Sequence, residues 1–365
     1  MTTLFSGIYR NKIVLITGNT GFKGSWLAYW LHQLGAHVVG YALPAPTVPN
    51  HWGLLDVPIS SQTGDIRDLN TLQHTFDLYK PDIVFHLAAQ SLVRYSYQHP
   101  LETIETNIIG TAHVLECARQ SASVRAVVVV TSDKCYDNPE DGKPLVETDP
   151  MGGYDPYSMS KGGAELVTAS YRNSFFNVGQ YGQTHRVLVA SARAGNVIGG
   201  GDWADDRLIP DLIKTTQSGQ PVVIRNPEAV RPWQHVLEPL SGYLLLGQHL
   251  LEGNPAVAGG WNFGPLLSDV LSVREIVRQA RQQWDAISCQ EIPTETNPHE
   301  AHFLSLDCTK AHQQLTWQPV WDTPTALRYT IKWYRTYHQE NRVDTNAELE
   351  AYVQQAKDAK LSWAV

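Results

Sequence analysis

The sequence has few charged residues and no basic block. Charged residues make up 18% of its 365 residues, and 28 Lys and Arg against 36 Asp and Glu give a net charge of −8. Because no Lys/Arg cluster is present, we expect no large basic surface that could bind a phosphate backbone, and therefore no nucleic-acid partner. The hydrophobic share of 42% argues against disorder and predicts a sizeable core.

Cysteines and long apolar runs are also scarce. No run approaches the roughly 20 apolar residues that span a bilayer, and residues 1–12 lack the pattern of a signal peptide. The four cysteines are scattered, with no C-x-x-C pair. Such spacing is typical of neither a disulfide framework nor a zinc site. We therefore expect a reduced, cytoplasmic protein with no membrane partner and no metal.

The first half of the chain alternates short β-rich runs with segments of helical apolar spacing. The β-rich runs occupy residues 13–17, 37–41, 82–87, 126–131 and 187–192. Helical spacing occurs at residues 25–34, 101–119 and 156–175. Apolar strands that alternate with helices are typical of a parallel sheet covered on both faces. Right-handed crossovers then predict an α/β fold with a Rossmann-type doubly wound sheet.

The composition changes after about residue 193, where Gly, Pro and Trp become frequent, as in GGGDW at 199–203. We predict a cofactor-binding domain at residues 1–190. Residues 191–365 are predicted to form mainly a smaller substrate-binding lobe, with a segment at about 232–262 returning to the first domain. Residues 325–337 predict a helix that packs on the body.

A glycine-rich turn lies between the first predicted strand and the first predicted helix. It reads TGNTGFKG over residues 17–24, with glycines at Gly18, Gly21 and Gly24. Glycines there permit a tight turn, let a pyrophosphate approach the backbone and let helix and sheet pack closely. The helix N-terminus offers unpaired N–H groups to phosphates. The motif favours a dinucleotide site over an ordinary tight turn.

The residues alone leave the choice between NAD and NADP open. A carboxylate about 20 positions after the first glycine would bind the ribose 2′-hydroxyl of NAD, but residues 37–43 contain none. Lys23 could favour a 2′-phosphate. Asp65, after the third predicted strand, is a candidate acceptor for the adenine amino group. Small residues after His86 would let the cofactor pass close to the fourth strand.

Tyr157 and Lys161 form a Y-x-x-x-K motif on one face of a predicted helix. A free tyrosine has a pKa of about 10 and is a poor base near neutrality. A nearby ammonium, together with a positive nicotinamide ring, favours the phenolate. We therefore expect Tyr157 to take a hydroxyl proton while hydride leaves to nicotinamide. Alone, such a motif is usually a solvated pair, but the glycine turn upstream favours the catalytic interpretation.

Ser132, Asp133 and Lys134 follow the fifth predicted strand, at the edge where α/β sheets bind ligands. Ser132 could hydrogen-bond the reacting hydroxyl, and Asp133 and Lys134 add an acid/base pair. A simple dehydrogenase or epimerase does not need that pair, whereas a reaction that also moves a proton on carbon and expels water does. A surface salt bridge at a turn is the alternative.

These motifs resemble the extended short-chain dehydrogenases/reductases that act on nucleotide sugars, and within them the CDP-glucose 4,6-dehydratase family. The most specific segments read TSDKCYDN, TDPMGGYDPYS, RAGNVIGGGDW and RPWQHVLEPLSGY, and the matching segments together span nearly the whole chain. Lys134 is the most specific residue, because the related dTDP-glucose enzymes have glutamate there. The resemblance implies NAD as the cofactor and a second lobe that binds the nucleotide sugar CDP-glucose.

The resemblance implies conversion of CDP-D-glucose to CDP-4-dehydro-6-deoxy-D-glucose plus water. Tyr157 would take the 4-hydroxyl proton as hydride passes from C4 to NAD. Asp133 would protonate the departing 6-hydroxyl, Lys134 would assist removal of the C5 proton, and hydride would return to C6. The enzyme would then be a lyase, in dideoxysugar synthesis for surface polysaccharide such as lipopolysaccharide O-antigen. The family forms homodimers or dimers of dimers, here through helices at 101–119 and 156–175.

The expected site is extensive. The expected catalytic residues are Ser132, Asp133, Lys134, Tyr157 and Lys161. Cofactor contacts are expected from Gly18, Asn19, Gly21, Phe22, Lys23, Asp65, Ile66, Leu87, Ala88, Ala89, Thr106, Tyr157 and Lys161. Expected substrate contacts are Gln90, Arg94, Asn196, Arg207, Arg231 and His299. The resemblance assigns the nucleotide diphosphate to Asn196 and Arg231, and an arginine fork suits two phosphate oxygens.

Other functions compete with this interpretation. The chain could be a nucleotide-sugar epimerase, or a dehydratase for dTDP-, GDP- or UDP-sugars, because no motif reads the base. A non-enzymatic cofactor sensor is the other class, since fold does not fix function, but such a sensor would be expected to lose the Tyr157–Lys161 pair. The segment 299–302 (HEAH) lacks H-E-x-x-H spacing, so we interpret it as a loop and not as a metal site.

Overall fold

A seven-stranded parallel sheet organises the protein. The computed structural model describes residues 1–224, 226–266, 269, 271–292 and 304–365. The strands of the sheet are β1 (Ile13–Thr17), β2 (His37–Ala42), β3 (Ser60–Thr63), β4 (Ile83–His86), β5 (Ala126–Val130), β6 (Leu188–Ala194) and β11 (Gly260–Phe263). Their order is β11-β6-β5-β4-β1-β2-β3. The order reverses between β1 and β4, which is where doubly wound sheets bind ligands. The predicted fold class is therefore confirmed.

The strands are apolar on both sides because both faces of the sheet are covered. Every residue of β5 and β6 is buried. Along β1, Val14 and Ile16 join one apolar cluster, whereas Leu15 joins the other. This alternation follows the two-residue repeat of a strand. The edge strand β3 is exposed and polar instead, as suits an edge that should not pair further.

Helices flank the sheet and continue beyond it. The described helices are α1 (Phe22–Gln33), α2 (His51–Leu54), α3 (Leu69–Tyr79), α4 (Val93–Gln98), α5 (Pro100–Ile104), α6 (Gly110–Gln120), α7 (Pro156–Ser174), α8 (Leu208–Ser218), α9 (Leu237–Leu251), α10 (Val273–Gln283), α11 (Thr309–Gln314), α12 (Thr323–Glu340) and α13 (Thr345–Asp358). A π-helical turn (Glu105–Ile109) joins α5 to α6. Short 3₁₀ helices occupy Phe5–Gly7, Asp133–Cys135, Val178–Gln180 and Pro255–Val257. Within the described ranges, no helix is long and apolar enough to cross a membrane.

Three two-stranded ladders follow the main sheet. They pair β7 (Val197–Ile198) with β10 (Gln234–His235), β9 (Val230–Arg231) with β12 (Leu271–Ser272), and β8 (Val222–Ile224) with β13 (Cys289–Glu291). The predicted boundary at residue 190 falls inside β6. The segment at 232–262 contains α9 and all but the last residue of β11, and β11 forms the sheet edge beside β6.

The C-terminal helices pack back onto the first helix. Tyr352 of α13 meets the Trp30 ring edge-on at 5.9 Å, and Trp363 stacks on Phe5 at 5.1 Å. The predicted helix at residues 325–337 lies inside α12 and is confirmed. Such aromatic contacts add stability beyond simple burial, and they join the end of the chain to its beginning.

Candidate active site

The glycine turn forms a narrow cradle between β1 and β4. Gly18 has φ +80, and a Cβ there would lie 2.7 Å from the main-chain nitrogen of Ala88. A Cβ on Gly24 would lie 2.1 Å from the Gly18 carbonyl oxygen. Glycine is therefore required at both positions, by conformation at the first and by close packing at the second. A glycine-rich backbone turn that leads into the N-terminus of α1 fits the pyrophosphate of a dinucleotide.

The turn also directs two polar side chains inward. Asn19 is fully buried and donates from Nδ2 to the Ser61 hydroxyl at 3.1 Å. The Lys23 ammonium donates to the Tyr243 hydroxyl at 3.4 Å. Burial, with a contribution from the charge of Lys161, lowers the Lys23 pKa to about 7. Lys23 thus contacts Tyr243 of α9, a residue that sequence reasoning did not select.

Asp65 lies beyond β3 and is bound by Arg67. The two side chains form a bidentate pair, with Nη2–Oδ2 at 2.6 Å and Nε–Oδ1 at 3.1 Å. These bonds hold the Asp65 pKa below its usual value. The next residue, Ile66, is buried, and a Cβ on Gly110 would lie 2.5 Å from its Cδ1. Adenine recognition by Asp65 stays a prediction, and Arg67 is an unforeseen partner that positions its carboxylate.

β4 ends in a buried histidine, and three half-buried residues follow the strand. The His86 ring bridges the hydroxyls of Thr17 at 2.7 Å and Thr111 at 3.0 Å. Burial lowers the His86 pKa to about 3, so the ring is neutral near neutrality. The bridge fixes the β4 end against β1 and α6. The half-buried residues that follow are Leu87, Ala88 and Ala89.

Asn107 links this strand end to the catalytic helix. Its Oδ1 accepts from the Gln90 main-chain nitrogen at 2.9 Å, and its Nδ2 donates to the Gln90 carbonyl at 2.9 Å and to Ser160 at 2.8 Å. The Gln90 amide donates in turn to Thr103 at 2.9 Å. Half-buried Thr106 precedes Asn107 in the π-helical turn, a feature frequent at functional sites. No sequence signal singled out Asn107.

The predicted catalytic residues come from two elements that meet. Ser132 and Asp133 are buried, and Lys134 is half-buried, in the 3₁₀ turn after β5. The Ser132 hydroxyl donates to Asp133 Oδ1 at 2.9 Å. Tyr157 lies close enough to Ser132 for this hydroxyl to oppose the rise of the tyrosine pKa. Lys161 lies one turn further along α7. The structure thus brings all five together.

The start of α7 fixes the position of the tyrosine. Asp155 caps the helix by accepting from the Ser158 main-chain nitrogen at 2.9 Å, and Pro156 occupies the first turn. The Tyr157 main-chain nitrogen donates to the Ser96 hydroxyl at 3.1 Å. These contacts satisfy N–H groups that a helix start leaves unpaired. The aromatic ring therefore projects from a rigid helix end.

Burial controls the charges of this cluster. It raises the Tyr157 pKa to about 12 and lowers the Lys161 pKa to about 8. The Tyr157 shift is opposite to the direction we expected from Lys161, because desolvation of the phenolate outweighs the lowering effects of Ser132 and Arg207. Burial also raises the Asp133 pKa. The positive charges of Lys134, Lys23 and Arg231 oppose that rise.

Two predicted substrate arginines are paired with aspartates. Arg207 bonds Asp202 at 2.8 Å and the Ser91 hydroxyl at 3.2 Å, so it connects the segment after β4 with the segment before α8. Its charge also lowers the Tyr157 pKa. Arg94 pairs with Asp206 at 3.3 Å. Both arginines therefore lie beside the catalytic residues, and each is held there by an ion pair with an aspartate.

The remaining substrate candidates lie beyond β6 or outside the described residues. Arg231, in β9, is close enough to Asp133 to lower its pKa. Asn196 is half-buried between β6 and β7, and its carbonyl accepts from the Gln234 main-chain nitrogen at 3.1 Å. His299 lies outside the described residues. No group of three metal-ligating side chains occurs in the part of the chain that the structure describes.

Several known proteins are similar to this chain in sequence and fold. The family model described as GDP-mannose 4,6 dehydratase matches residues 15–330. The CDP-glucose 4,6-dehydratase of Salmonella typhimurium is 51% identical over 331 residues, covering 90% of this chain and 92% of that protein. The dTDP-glucose 4,6-dehydratase of Haemophilus influenzae is 27% identical over 348 residues, covering 88% and 97%.

A solved structure agrees with these relatives. It is a Streptomyces venezuelae dTDP-glucose 4,6-dehydratase with NAD and TYD bound. This chain superposes on it with a TM-score of 0.74 and 26% identity, and the match covers 88% of this chain and 97% of the other.

Proposed function

The chain belongs to the GDP-mannose 4,6 dehydratase family, and we propose that it is an NAD-dependent lyase that converts CDP-D-glucose to CDP-4-dehydro-6-deoxy-D-glucose plus water. The choice of CDP-glucose rests on the Salmonella relative, which is 51% identical over 90% of this chain. The dehydration rests on Asp133 and Lys134, which an epimerase does not need.

The observation that carries the proposal is that the Tyr157–Lys161 pair lies next to the Asp133–Lys134 pair. The Ser132 hydroxyl donates to Asp133 Oδ1 at 2.9 Å, and it lies close enough to Tyr157 to affect the tyrosine pKa. A proton-accepting tyrosine and a buried carboxyl therefore act on one sugar. An oxidation at C4 and a loss of water from C5 and C6 require such closeness, because both concern adjacent parts of a single ring.

The chain's own residues handle the protons. Tyr157 takes the proton of the sugar 4-hydroxyl, and Ser132 orients that hydroxyl. Lys161 lies one helical turn from the tyrosine and stabilises its phenolate once the site is loaded. NAD, when bound, supplies the hydride acceptor at C4 and the hydride donor at C6. The glycine cradle formed by Gly18 and Gly24 would hold its pyrophosphate.

Asp133 and Lys134 have different roles in the loss of water. The ketone at C4 acidifies the C5 hydrogen, and Lys134 assists its removal. Asp133 protonates the departing 6-hydroxyl, and its raised pKa favours the protonated form that this step needs. A Lys134→Ala variant that still exchanges the C5 hydrogen at the normal rate would remove the lysine from the role of base.

The nucleotide end of the substrate is assigned to the later part of the chain. We propose that the segments after β6 that lie outside the main sheet form the nucleotide-sugar lobe. Arg231 and Asn196 hold the diphosphate there, because a guanidinium fork matches two phosphate oxygens. Arg231 acts electrostatically on Asp133, which connects the phosphate region with the sugar site.

A product assay in heavy water tests the function. Purified protein with added NAD is incubated separately with CDP-glucose, dTDP-glucose, UDP-glucose and GDP-mannose. The readout is a 4-keto-6-deoxy sugar with deuterium at C5. We expect product from CDP-glucose alone. Product from another nucleotide would keep the mechanism and change the substrate, and an epimerised sugar would indicate an epimerase. No product from any sugar, with cofactor bound, would contradict the roles of Asp133 and Lys134.

We also propose a homodimer formed through α7 and the α5–α6 region. Large apolar side chains are exposed on these elements, with Leu101 73% and Leu166 61% exposed. Ile109 and Met159 are exposed nearby in sequence. A symmetric contact would bury such a surface against its own copy. Leu166→Glu should shift the protein towards the monomer in sedimentation velocity, whereas Leu78→Glu, on α3, should not.

We place the enzyme in the cytoplasm, since all four cysteines are free thiols and reduced thiols are typical of that compartment. Its product would supply enzymes that make 6-deoxy or 3,6-dideoxy sugars for surface polysaccharide such as O-antigen.

A further inference from the structure

The side chain of Lys23 extends from the glycine turn to helix α9. Lys23 is the second residue of α1 and is half-buried. Within the described part of the chain, its ammonium makes one hydrogen bond, to the Tyr243 hydroxyl at 3.4 Å. The same ammonium lies 5.8 Å from the centroid of the Tyr243 ring, and Tyr243 is fully buried. Because an ammonium has three donors, Lys23 keeps donors for a ligand.

The charges around Lys23 do not neutralise its ammonium. Lys161 and Arg207 lower the Lys23 pKa by repulsion, and only Asp133 raises it by attraction. Burial raises the Asp133 pKa, which weakens the negative charge that this carboxyl offers. The carboxylate of Asp202 is already paired with Arg207, at 2.8 Å. A half-buried ammonium near two other cations therefore favours an anionic ligand.

The position of Lys23 indicates which anion it meets. It precedes Gly24 in the glycine turn, whose backbone fits a pyrophosphate. Its ammonium is close enough to Lys161 to be affected by that charge, and its partner Tyr243 is similarly close to Tyr157. The side chain therefore extends from the phosphate end of the cofactor site towards the catalytic residues, where the nicotinamide reacts. The anion at this boundary is the phosphate on the nicotinamide side.

The sheet order separates Lys23 from the adenosine end of the cofactor site. Helix α9, which carries Tyr243, packs against β5 and β6. Strands β2 and β3 lie on the opposite side of β1, and the end of β2 is where a dinucleotide fold reads the ribose 2′-position. The side chain of Lys23 is thus directed away from the 2′-phosphate that the sequence alone allowed it to bind.

On the basis of the NAD site in the proposed function, we propose that the Lys23 ammonium binds the nicotinamide-side phosphate of the cofactor and that Tyr243 is a positioning residue that directs the ammonium to it. The phosphate supplies the negative charge that the surrounding residues do not. The charge-assisted hydrogen bond adds to those from the backbone of the glycine turn.

Calorimetry with cofactor fragments tests this assignment. ADP and AMP differ by one phosphate, which corresponds to the nicotinamide-side phosphate of NAD. They are titrated at pH 7 into the full chain freed of bound nucleotide. Lys23→Met should weaken ADP binding about 10-fold or more, the size of a hydrogen bond to a charged group, and should leave AMP binding unchanged. A loss for ADP below about threefold, or an equal loss for AMP, would overturn the proposal.

A matched control and a second cofactor accompany this comparison. Lys357→Met replaces an exposed lysine of α13 and should leave both affinities unchanged. Lys23→Met should also weaken NAD and NADP by the same factor, since both carry the same pyrophosphate. A loss confined to NADP would return Lys23 to the 2′-phosphate and reject the assignment.

A pH series separates the charge of Lys23 from its packing. The Lys23 pKa is about 7, and a bound phosphate favours the charged form, so affinity falls as the pH rises through 7. The probe is ADP-ribose, because the terminal phosphate of ADP itself titrates near pH 6. Wild-type affinity should fall about tenfold between pH 6 and 8. An identical fall in Lys23→Met would contradict the proposal.

The variants should differ in this pH dependence. Lys23→Met should bind weakly at every pH, with only the slope that Lys161 contributes through its own pKa of about 8. Lys23→Arg keeps its charge at every pH and should bind ADP-ribose more tightly than Lys23→Met at pH 8. If Lys23→Arg binds no better than Lys23→Met, the charge is not what binds the phosphate.

Tyr243→Phe tests the positioning role. It removes one neutral hydrogen bond and should weaken ADP binding about threefold without affecting AMP. Unchanged ADP affinity would reject the role of Tyr243. These measurements use no nucleotide sugar, so failure of the proposed function has a different signature: the unmodified protein would make no product from CDP-glucose, whereas the contrast between ADP and AMP would persist.

Discussion

Arg193→Met removes the cation that neutralises Glu165 beneath the catalytic residues. Glu165 lies on α7, two turns after Tyr157, and is buried. Arg193 of β6 binds it through Nε–Oε1 and Nη2–Oε2, both at 2.9 Å. Thr131 and Ser191 donate to the same carboxylate at 2.5 and 2.6 Å. The carboxylate therefore joins α7 to β5 and β6.

The loss of unfolding free energy in Arg193→Met follows from the burial of Glu165. Without Arg193 the Glu165 carboxylate keeps only two neutral donors, and breaking a buried pair costs about 3–5 kcal/mol. Burial raises the Glu165 pKa, but the charge and hydrogen bonds of Arg193, together with hydrogen bonds from Ser191 and Thr131, more than offset it, so the net shift is downward from 4.5. In the variant only the hydrogen bonds of Ser191 and Thr131 oppose the effect of burial, so Glu165 is more readily protonated as the pH falls. The loss of stability should therefore be smaller at pH 5 than at pH 7.

Urea unfolding at fixed protein concentration measures the effect. Arg193→Met should lose about 3–5 kcal/mol of unfolding free energy at pH 7, and the double variant Arg193→Met/Glu165→Met should recover most of it. Arg278→Met breaks the exposed pair with Glu275, at 2.6 Å, and should change little. The reasoning is refuted if the single buried variant loses less than about 1 kcal/mol, the size of a surface pair, or if the double variant is equally unstable.

Three further predictions concern pH, cofactor and chemistry. Burial lowers the His51 pKa from 6.5 to about 3, so the contribution of His51 to stability is full above pH 6.5 and falls at lower pH by about 1.4 kcal/mol per pH unit. His51→Gln should reduce the pH slope of stability by that amount in urea unfolding between pH 4 and 6 and leave the slope that buried His86 contributes, whereas exposed His37→Gln should leave the slope unchanged. Gly24→Ala places a Cβ 2.1 Å from the Gly18 carbonyl oxygen. It should weaken NAD binding, measured by calorimetry, at least about 100-fold, which is a loss of about 2.7 kcal/mol, and wild-type affinity would contradict this prediction. The control is Gly259→Ala, because a Cβ on Gly259 would meet only Lys310 Nζ, at 3.7 Å. Tyr157→Phe should abolish reduced-cofactor formation with CDP-glucose, a loss of about 10²–10⁴ in rate, and retained formation would exclude Tyr157 as the base.

The sequence predicted the elements that local patterns specify. The run at residues 13–17 coincides with β1, and the glycine turn and the Y-x-x-x-K helix lie where expected. Such features depend on periodicity and on neighbours within a few residues, so they can be derived from the chain alone. The meeting of Asp133 with Tyr157 also follows, because strand ends and helix starts share one edge of a parallel sheet.

The tertiary structure alone decided the charges and the long-range partners. Lys23 bonds Tyr243, 220 positions away, and Gly195 lies so close to Asp133 that a Cβ there would be 2.8 Å from Oδ2. The direction of the Tyr157 pKa shift depends on how completely the fold excludes water. Desolvation and contact between distant segments arise only when the core closes, and the order of residues along the chain does not specify their distances.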